Sequence, residues 1–347
     1  MRAFGLDLSD QSLKLIELKK SGKNIRLANF CELTLPEGTI IKGRVVKEDL
    51  LVAAIRKSIS ATAKGRVKTR MVVACVPESE SFIRIIKLPV VPEDELDQAV
   101  KWESGQHIPL SSDQVYLDWQ KVGGRDQQLE VLVAASPRKL VDSYVNALRK
   151  AGLVPIACEV ESAATTRSLI RENDQACYLI VDIGICKTSL IIYDRQSLQF
   201  TSSVEPAGED FTASLTQDLK ISITEAEEMK KVYGLTAKKG EIEEKIYQSL
   251  KSQVQALAQE IETTLKFYKD HFPGGQDAGK IILCGGGSRL RGLVPELKII
   301  LKKEVVLGDP WVNILNSQNK YLPEISRKDA LGYATAIGLA IRGVEGI

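Results

Sequence analysis

One pattern occurs twice in the chain and restricts its folding more than any other feature. Near the start stands G-L-D-L-S-D-Q-S-L-K-L-I, residues 5–16, and near the middle V-D-I-G-I-C-K-T-S-L-I-I, residues 181–192. In each, an apolar strand ends in an aspartate (Asp7, Asp182) and a small residue follows two places on (Ser9, Gly184). A hydroxyl comes five or six places on (Ser12, Thr188), and an apolar strand returns. A tight β-hairpin of this kind offers backbone N–H groups and a hydroxyl to an anion, and its aspartate can hold Mg2+ through water. A single aspartate at a strand end is ordinary turn chemistry. Two copies, each opening its own sheet, predict two related α/β lobes that grip a polyphosphate from both sides.

Length agrees, since 347 residues exceed what one hydrophobic core supports. Lys+Arg 47 against Asp+Glu 45 leaves a net charge of +2, which argues against nucleic acid as the main partner. No apolar run reaches the ~18 residues of a membrane span. Asp7 interrupts the stretch a signal peptide needs, so a cytoplasmic protein is expected. The six cysteines form no C-x-x-C pair and read as small buried hydrophobes, as in VVACV and KIILCGG. His107 and His271 stand alone, which leaves a Ser-His-Asp mechanism without material.

Strands are predicted at 3–8, 13–19, 25–35 and 71–76, with a helix at 47–64. Residues 78–157 change character: a strand (IRIIKL), a helix opened by Pro92 and acids, strands at 114–122 and 129–135, then a helix at 137–151. A strand-helix-strand-strand-helix unit of this size reads as an insert. The β/α rhythm resumes at 154–160 and 161–172, with strands near 177–183, 188–194 and 198–204. Thr224-Glu225-Ala226-Glu227 reads as a capping box. A long helix over 240–269 carries an apolar stripe from Ile242 to Tyr268. A third motif, I-I-L-C-G-G-G-S-R-L-R-G-L (281–293), runs a strand into glycines and a helix predicted at 288–302, with Ser288 as its cap. It lacks the Lys-Ser/Thr of a P-loop. A final helix is predicted at 329–341.

These three motifs, in this order, resemble the phosphate-1, phosphate-2 and adenosine motifs of the actin-like superfamily. Within it, the chain resembles the PilM family of type IV pilus assembly ATPases. That closer resemblance rests on L-P-V-V-P-E-D-E-L-D-Q-A-V-K-W-E-S-G-Q-H-I-P (88–109), V-Y-L-D-W-Q, P-A-G-E-D-F-T, T-E-A-E-E-M-K and the terminal A-I-G-L-A-I-R. It implies an actin-like (ribonuclease H-like) two-lobed α/β fold with an inserted strand-helix-strand-strand (SHS2-like) subdomain. The first lobe would be 1–77 plus 158–175, with the final helix 329–342 packed back on it. The insert would be 78–157, and the second lobe 176–328 with a helical part at 205–275.

The resemblance also implies ATP and Mg2+ as ligands. Asp7, Ser9 and Ser12 fall on the first phosphate hairpin with Lys14 behind it, and Gly184, Lys187 and Thr188 on the second. Asp7 and Asp182 would be water-mediated Mg2+ ligands. Gly208 matches a glycine turn near the nucleotide, and Glu227 and Lys230 the residues that meet ribose and base. Gly285, Gly286, Gly287 and Ser288 would underlie the adenosine, and Glu161 would orient the attacking water. Bland readings stand beside these: Glu227 as a cap, Lys230 as a solvated charge, Glu161 as dipole compensation at a helix start. Asp10 adds a carboxylate where relatives have none, repelling phosphate unless it points away or reaches the metal.

The partner implied is a PilN-like inner-membrane protein, held by its cytoplasmic N-terminal peptide beside the insert, with Trp102, Ile108 and Pro109 as apolar anchors. Other pilus assembly proteins and a homo-oligomer are further implied partners, at the inner face of the cytoplasmic membrane. Trp102 equally fits helix core. Turnover would be slow or absent. Two alternatives belong to the same superfamily. A metabolic kinase would need a polar substrate set that 78–157 lacks. A division protein like FtsA would need a membrane-binding amphipathic tail, unlike A-I-G-L-A-I-R-G-V-E-G-I.

Overall fold

The computed structural model describes residues 2–22, 24–108, 110–125, 128–236, 240–272, 274–315 and 323–346. The chain opens with β1 (Phe4–Leu8), β2 (Ser12–Ser21) and β3 (Asn24–Thr34), a short ladder of β4 (Ile40–Ile41) with β5 (Arg44–Val45), helix α1 (Glu48–Ser60) and β6 (Met71–Val76). Acids at the α1 start (Glu48, Asp49) and Lys57 in its last turn oppose the helix dipole. Next come β7 (Phe82–Pro89), α2 (Leu96–Ser104), β8 (Val115–Arg125), β9 (Gln128–Pro137), α3 (Arg138–Lys150), β10 (Val154–Val160) and α4 (Glu161–Leu169). The second half holds β11 (Tyr178–Ile183), β12 (Thr188–Asp194), β13 (Ser197–Val204), α5 (Gly208–Leu219), α6 (Ile223–Val232) and α7 (Glu241–His271). It ends with β14 (Lys280–Cys284), α8 (Leu293–Leu301), β15 (Glu304–Leu307), α9 (Arg327–Ala330) and α10 (Ala334–Glu345).

The doubled motif becomes a doubled sheet. The first sheet runs β10-β6-β1-β2-β3, and the second contains β15-β14-β11-β12-β13. In both, the motif hairpin is antiparallel and two further strands add in parallel on the side of its first strand. The central strands are buried on both faces, which accounts for their continuous apolar runs. The second sheet continues past β13 through β7-β9-β8, joined by one pairing, Phe200 with Arg84. Helix α3 packs differently from the strands it follows. Its Leu140, Tyr144, Ala147 and Leu148 lie in the same core as Phe4, Leu6 and Val72, and the Tyr144 hydroxyl donates to the Gly43 carbonyl at 2.9 Å.

Helix α10 lies against β1, β2 and α4. Close approach requires glycine, because a Cβ on Gly338 would overlap the backbone carbonyl of Ala164. Glu159 beneath it accepts from Arg167 and from Arg342, the latter at 2.7 Å, tying β10, α4 and α10 together. Among the described residues no helix is long and apolar enough to cross a membrane.

Three local expectations shift. The helix foreseen from Pro92 begins at Leu96, because residues 93–95 form a turn in which the Glu95 N–H reaches the Pro92 carbonyl. The capping box is Ser222 with Glu225, not Thr224 with Glu227. The Ser222 hydroxyl accepts the Glu225 N–H, and the Glu225 carboxylate accepts the Ser222 N–H at 2.9 Å. Ser288 does not cap a helix over 288–302. Its hydroxyl turns back to the Gly285 carbonyl at 2.7 Å within a single 3-10 turn, and α8 starts five residues later.

Candidate functional site

The two hairpins match residue for residue. Asp7 pairs with Lys14 and Leu8 with Leu13, while Asp182 pairs with Ser189 and Ile183 with Thr188. The same bond closes each loop: the Ser9 N–H donates to the Ser12 carbonyl at 2.9 Å, and the Gly184 N–H to the Lys187 carbonyl at 3.0 Å. The counterpart of Ser12 is therefore Lys187, so one hairpin presents a hydroxyl where the other presents an ammonium. The Ser9 and Ser12 hydroxyls are 2.9 Å apart. Thr188 is buried and donates to the Pro206 carbonyl at 2.8 Å, which fastens the loop ahead of α5. The Gly208 N–H donates to the Gly184 carbonyl at 2.9 Å, and the Glu209 N–H to the Ile185 carbonyl at 2.8 Å, strapping the α5 start to the second hairpin. Asp10 turns to the first-lobe loop, where its Oδ1 accepts the Gly43 N–H at 2.8 Å.

Several charges converge between the hairpins. Glu161, first residue of α4, holds the Lys187 ammonium at 2.9 Å and accepts the Glu78 N–H at 3.2 Å. Burial pushes the Asp7 carboxyl up to about 6, with Lys14 opposing and Glu161 adding to the rise. Burial likewise pushes Asp182 up to about 6, reinforced by the negative charges of Glu161 and Asp7. Glu161 thus acts on both aspartates and Asp7 on Asp182, with Lys14 and Lys187 as the opposing cations.

Asp7, Cys75 and Glu161 offer ligand atoms all within 4.8 Å of one another. Burial, then Asp7 and Glu161, push the Cys75 thiol well up, so it stays protonated and donates to Asp7 Oδ1 at 3.4 Å. Without a thiolate the cluster does not suit a soft metal. Buried carboxylates crowded by like charge fit a hard divalent cation such as Mg2+, which would relieve their desolvation.

Sequence reasoning missed Cys75, Glu78 and Thr165. Thr165 donates to Asp182 Oδ2 at 3.4 Å and meets Thr335 at 2.9 Å. Cys75 reaches Asp7 only because β6 pairs with β1 in parallel, Ala74 opposite Leu6. That register is invisible along the chain. Glu78, directly after Pro77, had a signal in its position at a strand end, of the same kind as Asp7.

On the far side of the second hairpin, Gly285 sits at φ +80, and a Cβ there would strike Asp182 Oδ1. Its N–H donates to the Leu331 carbonyl at 2.9 Å. Gly287 presses on Ile183, whereas Gly286 has open space before it. Lys230 donates to the Gly208 carbonyl at 2.9 Å and to Thr212 at 2.7 Å, and pairs with Glu227 at 2.6 Å. Glu227 is free of the capping box and accepts the Thr212 hydroxyl at 2.8 Å. Partial burial pushes its carboxyl up, but Lys230 and Thr212 outweigh this and hold it below its ordinary value. Neither residue is a solvated surface charge. Both brace the turn at Gly208.

The three anchor residues separate. Trp102 is 72% exposed on α2, so it is not helix core. Ile108 is only 8% exposed and packs with Val115 and Ala135, which removes it as a surface anchor. Pro109 lies outside the described residues.

The profile of the type IV pilus assembly protein PilM matches residues 5–344. The chain belongs to the PilM family. A solved PilM–PilN type IV pilus biogenesis complex contains a chain similar to this one, with TM-score 0.84 and 28% identity over 100% of this chain and 99% of that one. Fold alone is shared with two more distant structures. One is the ethanolamine utilization protein EutJ of Carboxydothermus hydrogenoformans (TM-score 0.60, 16% identity, 98% of this chain and 89% of that one). The other is MreB5 of Spiroplasma citri bound to AMPPNP (TM-score 0.56, 14% identity, 97% and 94%). The two-lobed fold is therefore actin-like, as the resemblance of the three motifs implied. The cell division protein FtsA of Pseudomonas aeruginosa is 25% identical over 225 residues, which cover 57% of this chain and 50% of that relative. The chain thus spans about half the length of that curated relative.

Proposed function

We propose that this PilM-family chain is a nucleotide-binding scaffold that docks the cytoplasmic N-terminal peptide of a PilN-like inner-membrane protein. The carrying observation is the matched pair of hairpins, each closed by the same backbone bond and each carrying a buried aspartate near the end of its first strand. ATP would lie between them, its phosphates meeting the N–H groups and hydroxyls of Ser9 and Ser12 on one side and Gly184 with Lys187 on the other. Asp7 and Asp182 would hold Mg2+ through water, which would offset the charge of two buried carboxylates. Bound Mg2+ supplies charge neutralisation for the phosphates. Thr188, Gly208, Glu227 and Lys230 position the second hairpin and the α5 turn, while Gly285 to Ser288 shape the floor for the base.

Slow turnover follows from Glu161. Its Oε2 already takes an ammonium and an N–H, so it is engaged structurally rather than turned to a water. In this reading the lobes are 1–77 with 158–175 and 176–328, and 78–157 carries the docking face with Trp102 exposed on it. The peptide partner is supported by the full-length similarity to the chain of the PilM–PilN complex. Calorimetry with Mg-ATP and fluorescence anisotropy with a PilN N-terminal peptide test the two halves separately. Asp182→Ala should abolish nucleotide binding, and Trp102→Ala should weaken the peptide only. Undiminished Mg-ATP binding by Asp182→Ala would remove the hairpin reading.

A further inference from the structure

The end of the first sheet opposite Asp7 carries a concentration of cations that neither hairpin nor insert uses. Arg2 precedes β1, Lys19 and Lys20 end β2, and Arg26 lies directly across from Lys19 in the β2–β3 register. The segment leading into β6 alternates: Val67 is buried in the core, while Arg66, Lys68 and Arg70 are exposed. It is held at this end by two bonds. The Thr69 hydroxyl donates to the Arg2 carbonyl at 2.9 Å, and the Val154 N–H to the Arg70 carbonyl at 2.8 Å. Arg2, Lys19, Lys20, Arg26, Arg66, Lys68 and Arg70 are all exposed, and none forms an ion pair with a described residue. The acids near this end are Glu17 on β2, Glu345 near Lys20 with Glu172 beside it, and Glu324, which pairs with Lys64.

Such an arrangement carries a cost. Like charges directly opposite in a strand pair destabilise it, as for Lys19 and Arg26. In a chain with 47 basic and 45 acidic residues, the cations here are segregated rather than a reflection of overall charge. We propose that this end of the first lobe docks on anionic phospholipid headgroups. A headgroup layer answers a spread of independent cations without a groove or pocket. An acidic protein partner would need apolar anchors at its centre, and Val154, 51% exposed beside Arg70, is the apolar side chain this end offers. Single-stranded nucleic acid would need aromatic stacking platforms, and none of the seven positions or their bonded neighbours is aromatic. Contact at this end leaves the hairpins, at the other end of β1, open to solvent. The inference stands apart from the nucleotide and peptide readings.

The test is flotation of the full chain with vesicles of phosphatidylcholine alone or mixed with phosphatidylglycerol, at low and high salt. The chain should float only with the anionic vesicles, and high salt should release it. Arg66→Glu/Lys68→Glu/Arg70→Glu should lower vesicle affinity at least about a hundredfold, from roughly fivefold per cation removed. A control on the second lobe, Lys245→Glu/Lys266→Glu/Lys298→Glu, should float like the parent. If the reversal melts early, Arg66→Gln/Lys68→Gln/Arg70→Gln at unchanged melting temperature takes its place, with at least a tenfold loss. Four results would overturn the proposal: flotation with neutral vesicles, indifference to salt, equal loss in the control, or duplex DNA bound as tightly as the vesicles at the same salt.

Discussion

Asp7→Asn should stabilise the ligand-free protein and abolish the Mg-ATP binding proposed for the hairpins. In the folded chain the Asp7 carboxyl titrates at about 6 instead of 3.8, chiefly because it is buried. An acid whose pKa is raised on folding binds its proton more tightly in the native state. Its contribution is therefore neutral at low pH and becomes unfavourable as pH rises from 3.8 to about 6. Above that window the full penalty is present, about 3 kcal/mol for a difference of this size. Asparagine keeps the shape and removes the charge, so the variant gains up to about 3 kcal/mol at neutral pH. Spread over 347 residues unfolding as one unit, this raises the melting temperature by about 4 °C. A first lobe that melts alone shifts further. The assay is a thermal melt in chelator without nucleotide, at pH 7.5 and pH 4, followed by Mg-ATP titration at pH 7.5. The gain should be present at pH 7.5 and shrink to a small fraction of that at pH 4, where the carboxyl is protonated in the native state and about half protonated in the unfolded one. Mg-ATP should raise the melting temperature of the parent only. A variant less stable than the parent at pH 7.5, or a gain equal at both pH values, would refute the charge-burial argument.

Gly285→Ala should lower Mg-ATP affinity at least tenfold in calorimetry, because the new methyl strains a φ of +80 and displaces Asp182. Lys230→Met should loosen the Gly208 turn and weaken Mg-ATP several-fold in the same titration, leaving peptide anisotropy unchanged. Gly338→Ala should cost about 3 kcal/mol or more in a denaturant melt by forcing α10 off α4. Trp102→Ala should leave that melt within about 0.5 kcal/mol of the parent, as suits an exposed side chain.

Much of this was legible along the chain for a physical reason: the hairpin motif is local. Asp7 to Ser12 and Asp182 to Thr188 each close on themselves, so spacing alone announces them. The strands 71–76, 154–160, 188–194 and 280–284 fall where apolar runs between turns placed them. Errors concentrate where choices are degenerate. Ser222 and Thr224 each precede an acid three places on, and only the backbone decides which one caps α6. Ile108 sits in an apolar segment whose inward or outward side depends on how β8 and β9 fold over it. The attachment of β7 to β13, and of α3 to the first-lobe core, depends on contacts far apart in sequence and left no periodic trace.

Glu78 shows what such distant contacts add. It is buried, and burial raises its carboxyl above the ordinary range. It receives the Ser162 N–H at 3.3 Å from α4 and the Thr201 hydroxyl from β13. Its own N–H goes to Glu161, which holds Lys187 of the second hairpin. One residue at the start of the 78–157 segment thus touches α4, β13 and, through Glu161, the second hairpin. An anion that draws Lys187 away would strip Glu161 of its cation and leave it crowded against Glu78 and Asp7. The Glu161–Glu78 contact lies directly after β6. Lys187, Glu161 and Glu78 thus form one chain of contacts from the second hairpin to the segment that follows β6.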